Sequence, residues 1–237
     1  SYRHLGNLFL EILMLFGPMK WFVERNGELK GLENWKKAHA QGKGVIFVSS
    51  HLGNWEVMAA IGAHYGMDLM LVTKHLKPEW IHQGVESGRL SCSVLATYEP
   101  KTFRDVLRHL KDGHTVGIVL DQYAGAPIGV RVPFFGVPVG TANIISILAK
   151  RTGSIVLPAH NYRLPDGRFC VELGEPFEWL QDPDPQRELA CNTARYVSVL
   201  EGFIRKYPTQ WLWTHRRFKG DLSPLREGEW EEGRARK

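Results

Sequence analysis

Hydrophobic positions along this chain fall into two alternating rhythms. From Tyr2 to Phe22, residues Leu5, Leu8, Phe9, Ile12, Leu13, Leu15, Phe16, Met19 and Phe22 form a broad helical stripe, interrupted by Glu11 and ended near Gly17-Pro18. Val23 to Gly31 reads as a strand and Leu32 to Gln41 as a short helix. Gly44 to Ser50 is a short, apolar, β-branched run, the pattern of a buried strand. Asn54 then opens a helical pattern carried by Val57, Met58, Ile61 and Tyr65. The alternation continues with a strand over Asp68 to Thr73, a helix over 79 to 90, a short strand over Cys92 to Leu95, and an amphipathic helix from Lys101 to Lys111 stopped by Asp112-Gly113. Thr115 to Leu120 is a further buried strand. Ile155 to Tyr162 and Phe169 to Leu173 form a strand pair turning at Pro165-Asp166-Gly167. Asp182-Pro-Asp-Pro caps a helix from about 185 to 206. Strands alternating with helices predict an α/β fold, a mostly parallel central sheet flanked by helices.

One stretch departs from the rhythm. Residues 121 to 139 are rich in Gly, Pro and aromatic side chains, and they begin with Asp121 just past a strand end. In open α/β sheets ligands bind beyond the carboxyl ends of strands, so this reads as a long loop over a site. Gly140-Thr141-Ala142 then opens a helix to Arg151, whose first N–H groups face outward for an anion or oxyanion.

Length and composition narrow the class. The 237 residues, 43% hydrophobic, are read as one domain over 1–220 with a charged tail at 221–237. Three cysteines, odd in number and without a C-x-x-C pair, argue against a disulfide framework or a zinc site. No metal and no cofactor is expected. No apolar run reaches the roughly 18 residues that a transmembrane helix needs. The net charge of +5 suits an anionic partner, but the basic residues are too spread for a nucleic-acid-binding module. Eight tryptophans, several beside basic residues, suit either a membrane interface or ordinary core and surface positions.

The candidate chemistry sits where the buried strand meets the following helix: Ser50-His51-Leu52-Gly53-Asn54-Trp55-Glu56. On one continuous helix, five residues turn through about 500°, which would point His51 and Glu56 well apart. They meet only if His51 lies in the turn and Glu56 in the first helical turn, with Gly53 as the flexible point. His51 then reads as a general base and Glu56 as the carboxylate that orients it. The alternative is a histidine that only caps the junction.

Four motifs occur in order: the 50–56 stretch, Asp121-Gln122, Val132-Pro133-Phe134-Phe135-Gly136, and Gln210-Trp211-Leu212-Trp213 followed by His215-Arg216-Arg217. Together they resemble the late acyltransferases of lipid A biosynthesis, within the lysophospholipid acyltransferase superfamily. The resemblance implies a glycerol-phosphate acyltransferase-like fold. It implies transfer of a fatty acyl group from an acyl-carrier-protein thioester to a hydroxyl of a lipid A precursor, on the cytoplasmic face of the inner membrane. His51 matches the family's catalytic histidine and Glu56 its acidic partner. Arg89 and Asp121 lie near its functional charged positions. Asn54, Lys74, Arg89, Asp121 and Arg131 make up the expected substrate-binding set, with Lys77 a further candidate for phosphates or an acidic carrier protein. Members carry an amino-terminal membrane helix, and Ser1 to Ile12 resembles a segment after it, so a preceding stretch is expected. Two other readings stand beside this one. One is acyl transfer from acyl-CoA to another glycolipid or aminolipid; the other is a catalytically silent lipid-binding protein of the same fold.

Overall fold

The computed structural model describes residues 2–13, 17 and 19–225; of Tyr2 only the backbone is described. Part of the first stripe (Leu15, Phe16 and Pro18) and the tail from Arg226 lie outside the described residues. The order of elements is α1 (Tyr2–Ile12), α2 (Met19–Asn26), β1 (Gly27–Lys30), α3 (Leu32–His39), β2 (Val45–Ser49), α4 (Trp55–His64), β3 (Leu69–Val72), α5 (Glu79–Ser91) and β4 (Leu95–Thr97). There follow α6 (Thr102–Lys111), β5 (Thr115–Val119), β6 (Gly129–Phe134), β7 (Val137–Ala142), α7 (Ile144–Thr152), β8 (Ile155–Arg163), β9 (Phe169–Leu173) and α8 (Pro185–Lys206).

Seven strands form one sheet in the order β1-β9-β8-β2-β5-β3-β4. All neighbouring pairs are parallel except β8 with β9. The expected α/β class with a mostly parallel sheet is therefore what the chain adopts. The central strand β2 is buried along its whole length, and its side chains alternate between two cores, as the two-residue period of a strand requires. Ile46 and Val48 pack with Val106 and Leu110 of α6, Ile145 and Leu148 of α7, and Val197 and Leu200 of α8. Val45 and Phe47 pack on the opposite face with Val57 and Ile61 of α4, Trp35 of α3 and Val85 of α5.

Three expectations are corrected. Val23 to Asn26 finish α2 rather than begin a strand, because Val23 buries with Met19 one helical turn away in the α4 core. Residues 121 to 139 are not simply a long loop. Val130, Val132 and Phe134 alternate along β6, which pairs antiparallel with β7 through a two-residue turn. In that turn Phe135 and Gly136 both take positive φ (51° and 79°), as a twist-matched hairpin turn demands. Finally, Gly140-Thr141-Ala142 close β7, and the helix begins only at Ile144. The Gly140 carbonyl accepts the Ala124 N–H, so this segment is not an open helix start.

The first helix divides its surface. His4 and Leu8 are buried, whereas Phe9, Leu10 and Leu13 are exposed, as is Trp21 on α2. Glu11 anchors α1 by an ion pair with Arg163 of β8. Among the described residues, no helix is long and apolar enough to cross a membrane.

His160 on β8 is a point of acid sensitivity. It is 1% exposed, and neither ring nitrogen has a hydrogen-bond partner among the described residues. Burial, helped by the charge of Lys206, lowers its pKa to about 3. The unfolded chain binds a proton near pH 6.5 while the folded chain resists it, so stability is lost as pH falls from about 6.5 towards the folded value. By linkage, this one residue destabilises the fold at pH 5 by roughly 2 kcal/mol relative to pH 7. Replacing it, His160→Phe, is expected to remove most of that difference, read as unfolding free energy in urea at the two pH values.

Candidate active site

The register of the two central strands brings the site together. Ser49 at the end of β2 pairs with Val119 at the end of β5. Two residues past each of these strand ends stand His51 and Asp121. The Asp121 carboxylate accepts the His51 backbone N–H at 2.8 Å with Oδ2 and faces Nδ1 of its ring at 2.7 Å with Oδ1. The Trp211 indole N–H donates to Oδ2 at 2.7 Å. Asp121 is 1% exposed. Burial alone would raise its pKa, but the hydrogen bonds and charge of His51, with the Trp211 hydrogen bond, outweigh this and hold it below the usual value. A carboxylate at Nδ1 assigns the proton to that nitrogen and leaves the Nε2 lone pair free to accept one.

The carboxyl-terminal segment holds His51 from behind. The Leu212 N–H donates to the His51 carbonyl and the Gly53 N–H to the Gln210 carbonyl, each at 3.0 Å. Gly53 takes φ 62°, and a Cβ there would lie 2.5 Å from both the backbone and side-chain oxygens of Asn161. The glycine is needed for the turn and for this close approach. Arg217, 1% exposed, donates to the Gln122 and Gly140 carbonyls and to Thr141 Oγ1, tying the hairpin to the site. Burial lowers its pKa to about 10, so it keeps its charge at neutral pH. Trp55 lies edge-on to the His51 ring, with centroids 4.7 Å apart.

Glu56 is not the partner of His51. Its carboxylate receives Arg89 Nε at 2.9 Å and Nη2 at 2.5 Å, a bidentate pair in which each side chain is 5% exposed. The helix turns Glu56 away from the histidine and towards α5, where the oppositely charged fork offers the better partner. Arg89 also donates to Tyr98 Oη, so most of its fork is engaged within the protein. Asn54 is likewise occupied. It caps α4, accepting the N–H groups of Glu56 and Val57, and it donates to Glu11 Oε2 at 2.9 Å. Arg131 lies on β6 against Asp221 and Ser223 and does not line the cavity described below. The expected oxyanion site at the start of a helix after Gly140 is also not there, because Gly140 lies within a strand; the Gly53 N–H is bonded to Gln210.

A cavity of about 440 Å³ opens beside His51. It is lined by the sheet (Phe47, Leu69, Leu71 and Gly117) and by α4 (Met58 and Gly62), and His51, Gln122 and Lys74 also line it. The rest of its wall is largely apolar, the lining expected of a site for a hydrocarbon ligand. Gln122 Nε2 is 3.4 Å from Nε2 of both His51 and His215. The His215 ring sits edge-on to His51, centroids 4.6 Å apart. Burial, then the charge of His51, lower its pKa below the usual imidazole value. The arrangement offers a histidine base backed by a buried carboxylate, an amide beside it, and an apolar slot leading away.

Of the expected residues, His51, Asp121 and Lys74 come together, with Glu56 and Arg89 joining the wall as a pair. Sequence reasoning noted the 210–217 motif without giving Trp211 or His215 a role, and Gln122 was noted only as part of a pair. Their signal was a run of aromatic and basic residues after the last helix, a composition that by itself does not say which strand end it folds against.

Comparison with known proteins points to one family. The sequence model of the bacterial lipid A biosynthesis acyltransferase family matches residues 1–220. A lipid A biosynthesis lauroyltransferase of Escherichia coli K12 is 28% identical over 216 residues, 85% of this chain and 66% of that protein. The palmitoleoyltransferase of the same organism is 27% identical over 229 residues, 92% of this chain and 70% of that protein. A phosphatidylinositol mannoside acyltransferase of Mycobacterium tuberculosis is 29% identical over 214 residues, 84% of this chain and 62% of that protein. The chain spans about two thirds of the length of these relatives.

The buried Glu56–Arg89 pair makes a stability prediction. Removing one member leaves the other charge uncompensated, which typically costs 3–5 kcal/mol. Arg89→Met alone is expected to lose about that much. The double change Arg89→Met with Glu56→Leu is expected to recover most of it, measured by urea unfolding at pH 7.

Proposed function

This chain belongs to the bacterial lipid A biosynthesis acyltransferase family, and from that premise we propose that it is an O-acyltransferase working through His51 and Asp121. The donor is a fatty acyl thioester of acyl carrier protein, or of coenzyme A, and the acceptor is a hydroxyl of a lipid A precursor. The observation that carries this reading is the 2.7 Å contact of His51 Nδ1 with the buried Asp121 carboxylate, at the head of an apolar cavity.

The chemistry follows from the geometry. Nε2 of His51 takes the proton of the acceptor hydroxyl as its oxygen attacks the thioester carbonyl, a role typically worth 10²–10⁴-fold. The imidazolium formed is stabilised by Asp121, which the Trp211 indole and the His51 backbone hold in place. The tetrahedral oxyanion draws on the Gln122 amide, 3.4 Å from His51 Nε2, and on the Lys74 ammonium, both of which line the cavity. On collapse the carbon–sulfur bond breaks, the thiolate takes back the proton from His51, and ester and thiol leave. The acyl tail occupies the apolar slot. Lys74 and Lys77 offer positive charge to acceptor phosphates or to an acidic carrier protein. The exposed Phe9, Leu10, Leu13 and Trp21 supply the face that would rest on the cytoplasmic side of the inner membrane.

The test is mass spectrometry of a lipid A precursor incubated with acyl-carrier-protein thioesters of several lengths. A gain of one acyl group is expected. It should vanish in His51→Ala and fall by about 10²–10⁴-fold in Asp121→Asn. Full activity in Asp121→Asn would sink the assigned dyad. His51-dependent thioester cleavage without transfer to this acceptor would move the acceptor to another lipid, such as a phosphatidylinositol mannoside. No turnover of any thioester by folded protein would favour the silent lipid-binding reading.

Chain-length preference supplies a second test. Gly62 lines the cavity, and a Cβ there meets only Met67 Sδ at 3.3 Å and Leu69 Cδ2 at 3.9 Å. Gly62→Leu is expected to fill part of the slot and shift preference towards shorter chains. Each methylene excluded from burial loses about 0.8 kcal/mol, roughly fourfold in kcat/KM. Competition between thioesters of different length reads the shift directly.

A further inference from the structure

A second group of ligating side chains lies beside the mouth of the cavity, and acyl transfer makes no use of it. His75 follows β3, Glu79 opens α5, and His82 stands three residues later on the same helix face. One donor atom from each residue falls within 4.8 Å of the others. His75 Nε2 is 3.3 Å from Glu79 Oε2. The two imidazole rings face one another, with centroids 3.7 Å apart and planes tilted by 35°.

The surroundings fit a cation. His82 is 6% exposed and set by packing, with Tyr98 edge-on at 4.9 Å. His75 and Glu79 are exposed, so an ion has a route in and two movable ligands to close on it. Glu86 Oε2, 3.5 Å from His82 Nε2, brings a second carboxylate. The nearby Arg89 is already neutralised by Glu56, and Lys77 is exposed, so its charge can turn to solvent.

We propose that His75, Glu79 and His82 form a binding site for a borderline divalent transition-metal ion of the zinc type. Two imidazoles and one carboxylate with an open coordination position suit such an ion, whereas magnesium and calcium ask for all-oxygen donors. Ligand bonds of about 2.0–2.2 Å require the donors to draw together, which rotation of the two exposed side chains provides. The site has a structural consequence. Lys74 and Leu76, on either side of His75, line the cavity, as do Val85 and Arg89 of α5. A bound ion would therefore cross-link two walls of the acyl slot.

The experiment is a calorimetric titration of the full chain with zinc chloride, paired with the visible spectrum of the cobalt(II) form. One equivalent is expected to bind, with the intense absorption of low-coordinate cobalt and no competition from excess magnesium. His75→Ala and Glu79→Gln change exposed side chains, so folding is retained, and each is expected to weaken binding by about 10–100-fold. Zinc should also raise the Tm of the parent protein and not that of the His75→Ala/Glu79→Gln double variant. Failure to bind zinc, or binding equally tight in the double variant, overturns the site. Neither readout depends on acyl transfer, so this result is separable from the test of the catalytic reading.

Discussion

One carboxylate holds the site together. Asp121 is almost wholly buried, and its two oxygens are engaged by the His51 backbone, the His51 ring and the Trp211 indole. An uncompensated buried carboxylate would be costly and would neutralise itself by taking a proton. Here three donors, two from His51 and one from Trp211, keep it ionised. The same bonds that make it tolerable inside the protein aim the histidine, so the stability of this corner and its chemistry rest on one set of contacts. The parallel pairing of β2 with β5 is what delivers the two residues side by side, each two positions past the end of its strand.

That dependence explains which parts of the site were legible from the sequence. The alternation of apolar runs revealed the α/β class, the buried β2 strand and the histidine at its end, because these are local patterns. The partner of His51 was not local. Glu56 is five residues away and Asp121 seventy, yet the register of two strands brings the distant one into contact while helix geometry carries the near one off to Arg89. Strand register is set by the packing of whole faces, and nothing in the spacing of residues reports it. Asn54 shows the same limit from another side: a capping asparagine and a substrate-binding one look identical in a sequence, and only the helix N–H groups it satisfies distinguish them.

The errors of secondary structure share a cause. Val23 to Asn26 read as the start of a strand but join a helix, because Met19 and Val23 bury together against α4. The Gly- and Pro-rich stretch after Asp121 looked like open loop, yet its alternating Val130, Val132 and Phe134 form a hairpin whose face completes the α8 core. In both, tertiary burial decided between local alternatives of similar energy.

The engagement of Arg217 with the hairpin, and of Trp211 with Asp121, has a consequence for the order of synthesis. His51 and Asp121 leave the ribosome long before the residues that hold them. Until the segment around 211 to 217 has emerged, Asp121 lacks its indole donor, the Gly53 N–H lacks the Gln210 carbonyl, and the Gln122 and Gly140 carbonyls lack the guanidinium that joins them. A nascent chain therefore carries both members of the dyad without the scaffold that aligns them. The site is aligned only once the segment around 211 to 217 has been made and has folded back over it.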